Sequence, residues 1–285
     1  MTESAYIFTN TQFKSELSRL RVLEKVGDPA SHRRILATGI TTGWQCLEIG
    51  AGAGSMMRWM AEIVGTAGKV TAVDLDTRFI KNNDLSNVEV IEADINQVTL
   101  TGLFDLIHMR HVLIHLKDRA ILTKLLKLLK PQGWLVIEEP DFSATRFISG
   151  TPLQRQSVEN VHQAICQMFT NQGKDYALGI KLPSILQQLD LQQIQVENDV
   201  PIAAGNSDIA RLMKLSAQQL AEKYIATGKA TLTDIQIYCQ FAEDRTAWGI
   251  YLATVGVLGQ KLVDVGVNLQ SEWLSEADET AYADL

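Results

Sequence analysis

The sequence predicts an α/β protein: a doubly wound, mostly parallel sheet carrying a helical cap. Three observations predict it. Short apolar runs alternate with helical stretches through the middle of the chain. A glycine-rich loop, Leu47-Glu48-Ile49-Gly50-Ala51-Gly52-Ala53-Gly54, lies between the first such run and the helix after it. Beyond Asp141 the alternation gives way to helices. Strand–helix–strand alternation needs parallel strands joined by right-handed crossovers.

Taken in order, the opening reads as two helices over roughly residues 10–38. Leu17, Leu20 and Leu23 with Phe13 form an apolar stripe, and Gly27-Asp28-Pro29 breaks it, because proline belongs at a helix start. The strands are Gln45–Ile49, Lys69–Asp74, Val88–Glu92, Phe104–Met109 and Trp134–Glu138. Their β-branched, apolar character suits burial on both faces. Helices fall near Ser55–Val64, Thr77–Asn83 and Asp118–Leu129, and Lys130-Pro131-Gln132-Gly133 is a turn. A long helix near Leu153–Thr170 and a shorter one near Leu182–Gln188 follow. Gln192–Val200 alternates like a strand, 207–244 is helical, and Gly249–Gln260 reads as the last strand. This gives an N-terminal helical lid (1–40), a cofactor-binding core (41–141), a helical cap (142–190), the last strands with inserted helices 207–244 (191–262), and an acidic tail (263–285).

Of the 285 residues, 46% are hydrophobic and 21% charged, an ordinary globular balance. The net charge of −7 disfavours a broad phosphate-binding surface, so no nucleic-acid partner is expected. Cys46, Cys166 and Cys239 are far apart and odd in number, which argues against a disulfide framework or zinc site. The sequence MTESAYIFTN lacks the charge and apolar pattern of a signal peptide, and no run reaches membrane-span length. A cytoplasmic setting is expected.

The glycine loop lets the chain turn sharply and lets a ligand lie against bare backbone. The helix after it offers free N–H groups and a positive dipole end. The second strand ends at Asp74, where an acid can accept from both ribose hydroxyls. The third ends at Glu92-Ala93-Asp94-Ile95: Asp94 can accept from an adenine amino group and Ile95 can pack on the ring. Strand, glycine loop, helix and two strand-end acids point together to a nucleoside. The dinucleotide pattern GxGxxG is not met, since Ser55 stands where the third glycine belongs. Glu48 would also repel a pyrophosphate. S-adenosylmethionine, with sulfonium, ammonium and carboxylate groups, removes that conflict.

In order, LEIGAGAG, TAVDLD, EADI, FDLIHMRHVLIHL and LKPQGWLVIEEPD resemble the motifs of class I S-adenosylmethionine methyltransferases. The resemblance covers about residues 40–141, and YIFTN with RLRVLEKVGDP looks like the leader of bacterial small-molecule methyltransferases. It implies a Rossmann-like, seven-stranded sheet with an antiparallel final hairpin. By resemblance, Gly50, Gly52 and Gly54 approach the methionine part with Glu48 close behind. Asp74 holds the ribose, and Leu75, Asp94 and Ile95 surround the adenine. Met109 and Arg110 border the methionine part and the acceptor. Ile114 departs from the pattern, since relatives often carry an acid there.

Methyl transfer needs alignment and exclusion of water, and a base only for an O–H or ammonium acceptor. His111 and His115, just past a strand end, are candidates for base or acceptor positioning, and an ordinary packed histidine stays open for each. No third ligand joins them, so no metal is expected. His108 alternates within a strand as packed core does. Glu138, Glu139 and Asp141 follow the fifth strand, and either acceptor handling or a solvated loop fits them. Tyr6 and Phe8 form an aromatic patch placed to close over an acceptor pocket. The expected activity is transfer of a methyl to O, N or C of a small metabolite, in secondary metabolism, by direct displacement, with S-adenosylhomocysteine as product. Rivals are an NAD(P)-dependent oxidoreductase, a methyltransferase acting on protein or RNA, and a silent cofactor-binding subunit. The sequence leaves the oligomeric state open.

Overall fold

A computed structural model describes residues 7–8, 13–116 and 119–262. Tyr6 and the acidic tail lie outside the described residues.

Seven strands form the main sheet: β1 (Gln45–Ile49), β2 (Lys69–Asp74), β3 (Val88–Glu92), β4 (Phe104–Arg110), β5 (Leu129–Asp141), β7 (Gln192–Asp199) and β10 (Ala253–Gln260). Their order is β3-β2-β1-β4-β5-β10-β7. β1 to β5 pair in parallel, while β10 runs antiparallel to both β5 and β7. The carboxyl ends of β1 to β5 therefore share one edge. The order reverses direction at β1/β4, where folds of this kind open a crevice.

Both faces are covered. Leu47, Ile49, Ile107, Met109, Leu135 and Ile137 join one core, while Cys46, Leu106, Val136 and Leu258 join the other with α2 (Ser55–Val64). Alternate residues of each strand go to opposite cores, as the pleat requires. Glu48, His108 and Glu138 fall in the alternation of the second set.

The N-terminal segment differs from expectation. It is one helix, α1 (Phe13–Ala37), with Pro29 inside it. Pro29 and Lys25, whose carbonyl loses its partner, are both on the exposed side. Both flanks are anchored: Glu24 accepts from Ser55 N (2.9 Å) at the start of α2, and Arg34 donates to Glu138 (2.8 Å) of β5. Tertiary ties override the local cost of the proline.

Other expectations shift more modestly. Residues 77–83 make a turn rather than a helix, with Ile80 N and Lys81 N both donating to Thr77 O. The expected turn at 130–133 is a bulge in β5, where Gln132 takes φ 64 and its N–H bonds Lys261 O. The helix before it, α3, runs Ala120–Leu128.

The expected last strand divides in two. Its first part, β9 (Trp248–Ile250), joins β6 (Arg146–Ser149) and β8 (Ala203–Ala204) in a small sheet that alternation did not reveal. The remaining helices are α4 (Pro152–Asn171), α5 (Leu182–Gln187), α6 (Asp208–Gln219), α7 (Ala221–Ile225) and α8 (Leu232–Phe241). α4 starts where Thr151 Oγ1 accepts from Gln154 N (3.1 Å), with proline in its first turn. α4, α6 and α7 pass over the carboxyl edge of the sheet.

Candidate functional site

A cavity opens at that edge, with an empty volume of about 1460 Å³ including its mouth. One end is built from the tips of β1 to β3: Gly50, Gly52, Asp74, Leu75, Asp94 and Ile95 all line it, with Phe79 beside them. Gly50, Gly52 and Gly54 have φ of 74°, 56° and 86°, the region that favours glycine. A Cβ on Gly50 would overlap Val112, whereas one on Gly52 would reach only Leu20, at 3.5 Å, across the cavity wall. Gly54 starts α2 without lining the cavity.

Asp74 organises this end. Its carboxylate accepts from Gly52 N (2.8 Å) and Asp76 N (2.9 Å), so the strand-end acid fixes the glycine bend itself. Burial, partly offset by these hydrogen bonds, pushes its pKa up to about 6. Asp94 likewise turns its own loop, accepting from Asn96 N (2.9 Å). Each oxygen of Asp74, and Oδ2 of Asp94, has a further lone pair for a ligand hydroxyl or amino group. Leu75, half exposed, and Ile95 offer apolar surface between them. Backbone without a side chain, two rim acids and a flat apolar strip fit an adenosyl group.

Glu48, Met109 and Glu138, expected at the site, are placed elsewhere. Glu48 does not line the cavity. It is buried and faces His108, Oε2 to Nδ1 2.6 Å, while His108 Nε2 lies 3.2 Å from Glu138 Oε1. Strand pairing sets Glu48 beside His108, which explains why it points across the sheet. The conflict with a pyrophosphate that its charge suggested therefore does not arise. Met109 is fully buried core, because alternation sends it to the opposite face from His108. Glu138 is held by His108 and Arg34 (2.8 Å) and faces a second cavity between α1 and β10.

His108 is no passive packing residue. Both ring nitrogens face carboxylates, which only accept, so both must donate and the ring is an imidazolium. Burial opposes that charge, but Glu48 and Glu138 outweigh it and hold the pKa up near 9. Glu138 is held down to about 2, its burial outweighed by His108.

The dipole end of α2 is also taken. Glu24 accepts from Ser55 N, and Asp28 from Ser55 Oγ at 3.0 Å. Arg110 does line the cavity, yet its guanidinium is bonded to Asp28 (2.9 Å) and Ser31 (2.8 Å). Gly27 makes room for it, since a Cβ there would lie 2.7 Å from Arg110 Nη1.

The other end of the cavity receives His111 and His115. His111 has φ 56, a strained value for a histidine. Its N–H bonds Glu138 O (2.7 Å), and its Nε2 lies 3.3 Å from Thr254 Oγ1. Burial, then Arg110, pushes its pKa down to about 3, and burial, then Lys174, does the same for His115. Both rings are neutral near pH 7. Glu139, expected to handle the acceptor or face solvent, instead accepts from the N–H groups of Val112 (3.0 Å), Leu113 (2.7 Å) and Ile114 (3.1 Å) and so shapes the turn carrying both histidines. Asp141 is not in the cavity wall: it is a buried cap accepting from Ser143 N (2.9 Å) and Oγ (2.5 Å). Phe8 does line the cavity, with the Arg19 guanidinium 3.7 Å over its ring. Among the described residues no group of three or more His, Cys, Asp or Glu is placed to hold a metal.

An open α/β sheet with a nucleoside-shaped cleft at the tips of its first three strands defines a class, the Rossmann-like nucleoside binders. Within that class the chain belongs to the methyltransferase-domain family, which it matches over residues 14–173, more than half its length. That places it in the class I S-adenosylmethionine-dependent methyltransferase superfamily, whose methyl donor is S-adenosylmethionine. Two curated relatives are similar over part of their length. A methyltransferase of Strobilurus tenacellus is 33% identical over 102 residues, 34% of this chain and 36% of that protein. An uncharacterised 37.1 kDa protein in a transposon of Streptomyces fradiae is 28% identical over 138 residues, 45% of this chain and 40% of that one. The matches thus span well under half of either relative.

Two solved structures share the fold. The YcgJ protein of Bacillus subtilis is 16% identical at TM-score 0.51, over 81% of this chain and 97% of that one. A candidate sarcosine dimethylglycine methyltransferase from Galdieria sulphuraria is 15% identical at TM-score 0.50, over 82% and 84%. No helix among the described residues is long and apolar enough to cross a membrane.

Proposed function

We propose that the chain is a cytoplasmic enzyme that methylates a small organic molecule, with S-adenosylmethionine held at the tips of β1 to β3. The observation that carries this reading is a single cavity with two unlike ends, a glycine-and-acid cradle and an apolar chamber containing two neutral histidines. Gly50 and Gly52 would lie under the methionine part. Asp74 would take the ribose hydroxyls, and Asp94, Ile95 and Leu75 the adenine. When bound, S-adenosylmethionine supplies a methyl on positively charged sulfur, open to direct displacement.

The chain's own residues do the rest. α1 with residues 7–8, and α4, α6 and α7, serve as lid and cap that exclude water and hold the acceptor in line. His111 or His115 takes the proton of an O–H acceptor, or orients it. Neutral imidazoles can accept that hydrogen bond, which imidazolium cannot. Glu138 and Asp141 have no part in this step, since their carboxylates are committed elsewhere. The net charge of −7 supports a small acceptor over RNA. Metabolism of specialised compounds is the setting that the Strobilurus relative suggests.

Calorimetric titration tests the reading. S-Adenosylmethionine and S-adenosylhomocysteine bind and NAD does not. Binding of NAD alone would overturn it in favour of an oxidoreductase.

A further inference from the structure

The end of the cavity away from the glycine bend has a composition that selects among acceptors. Leu23 from α1, Met168 and Phe169 from α4, and Leu212 and Met213 from α6 wall it. Against this apolar surface stand four uncharged polar groups: the imidazoles of His111 and His115 and the hydroxyls of Ser216 and Tyr224.

The charges that reach this end are already matched. Glu16 and Arg19 line it and form a buried, two-pronged pair, Nη2 to Oε1 2.6 Å and Nε to Oε2 3.0 Å. Arg110 is bonded to Asp28 (2.9 Å). The carboxylates of Glu138, Glu139 and Asp141, all nearby in sequence, turn away to His108, to the 112–114 amides and to Ser143. An ammonium, carboxylate or phosphate placed here would lose its hydration with no charge in the lining of this end beyond these paired groups to replace it. An amino acid or a phosphorylated amine therefore fits poorly.

Resting on the methyltransferase reading above, we infer that the acceptor is an uncharged, mainly apolar molecule presenting a hydroxyl to His111 and His115. Apolar walls hold its body by desolvation, and the neutral imidazoles accept from its hydroxyl. Burial keeps both rings neutral, in agreement with that placement.

The test is binding to the full chain saturated with S-adenosylhomocysteine. The probes are β-estradiol and 2-naphthol against sarcosine and phosphoethanolamine, followed by calorimetry. Two variants alter the chamber: Met213→Gln, close in size but polar, and Ser216→Phe, which fills it. S-Adenosylhomocysteine affinity and thermal unfolding of each variant report whether it folds. The apolar probes bind wild type, the charged ones do not, and at least one folded variant binds the apolar probes about tenfold or more weakly. Binding of the charged probes instead, binding of no probe, or apolar binding unchanged in both variants would each overturn the inference. Failure of S-adenosylhomocysteine to bind wild type would count against the cofactor reading alone, and the apolar probes would then be titrated into the unliganded protein.

Discussion

Arg34 of α1 occupies the space that a side chain on Gly256 of β10 would need. A Cβ built there would overlap the guanidinium. Arg34 is fully buried and paired with Glu138 (2.8 Å) and with Asp199, so the bare backbone of β10 is what admits a helix-borne charge to the sheet.

Gly256→Ala should therefore push Arg34 off Glu138 and leave a buried carboxylate short of a partner. The expected loss is about 3–5 kcal/mol, the scale for breaking a buried pair. Urea unfolding monitored by tryptophan fluorescence measures it, and a change below about 1 kcal/mol would contradict the assigned packing.

The charge row Glu48–His108–Glu138 predicts a stability profile with pH. His108 has a folded pKa of about 9, above its unfolded value. Its contribution is complete below about pH 6.5 and is lost as pH rises through 9. Glu138, held down to about 2, contributes above its unfolded value near 4.5, and that contribution is lost as pH falls through 2. His108→Gln should flatten the alkaline limb specifically. Unfolding free energies from pH 5 to 10 for both proteins decide it.

Asp74 should make cofactor affinity pH-dependent. With its pKa raised to about 6, it gains a proton as pH falls through that value and loses acceptor capacity toward a ribose. S-Adenosylhomocysteine binding should weaken below pH 6. Asp74→Ala should cost about 1–3 kcal/mol of that affinity at pH 8, and Asp74→Asn should remove the acid-side dependence. Equal affinity in wild type and Asp74→Ala would sink the ribose assignment.

Glu139 holds three amides of the turn that carries both histidines. In Glu139→Gln one carboxylate oxygen becomes an NH₂, a donor that cannot serve Ile114 N, at present 3.1 Å from Oε2. The amides of residues 112–114 should exchange hydrogen faster, with a stability cost of about 1–3 kcal/mol. Hydrogen-exchange mass spectrometry over this segment would show it, and unchanged protection would contradict the capping role.

Much of the sheet is legible in the sequence because its determinants are local. The spans of β1, β2 and β3 follow from apolar runs that end at glycine or acid. The bend at Gly50 and Gly52 follows from glycine spacing, and Asp74 and Asp94 from their position at strand ends. What is hidden depends on pairing across the fold. Glu48 and Glu138 look like site acids until strand register sets both against His108. Pro29 looks like a helix end until the anchoring of Glu24 and Arg34 on either side is seen. Arg34 carries no local mark of burial. An arginine on a helix that needs a glycine far away in the chain is visible only when both are placed. The walls supplied by α4, α6 and α7 are ordinary amphipathic helices in sequence, and their role comes from where they are laid.

The long N-terminal helix joins the middle of the sheet to one of its edges. Glu24 and Asp28 hold the start of α2 beside β1, and Arg33 and Arg34 hold β7 and β5. A ligand that settles the glycine bend therefore also tightens a brace reaching the β7 margin, and melting of the whole domain, not of one loop, is where its arrival registers.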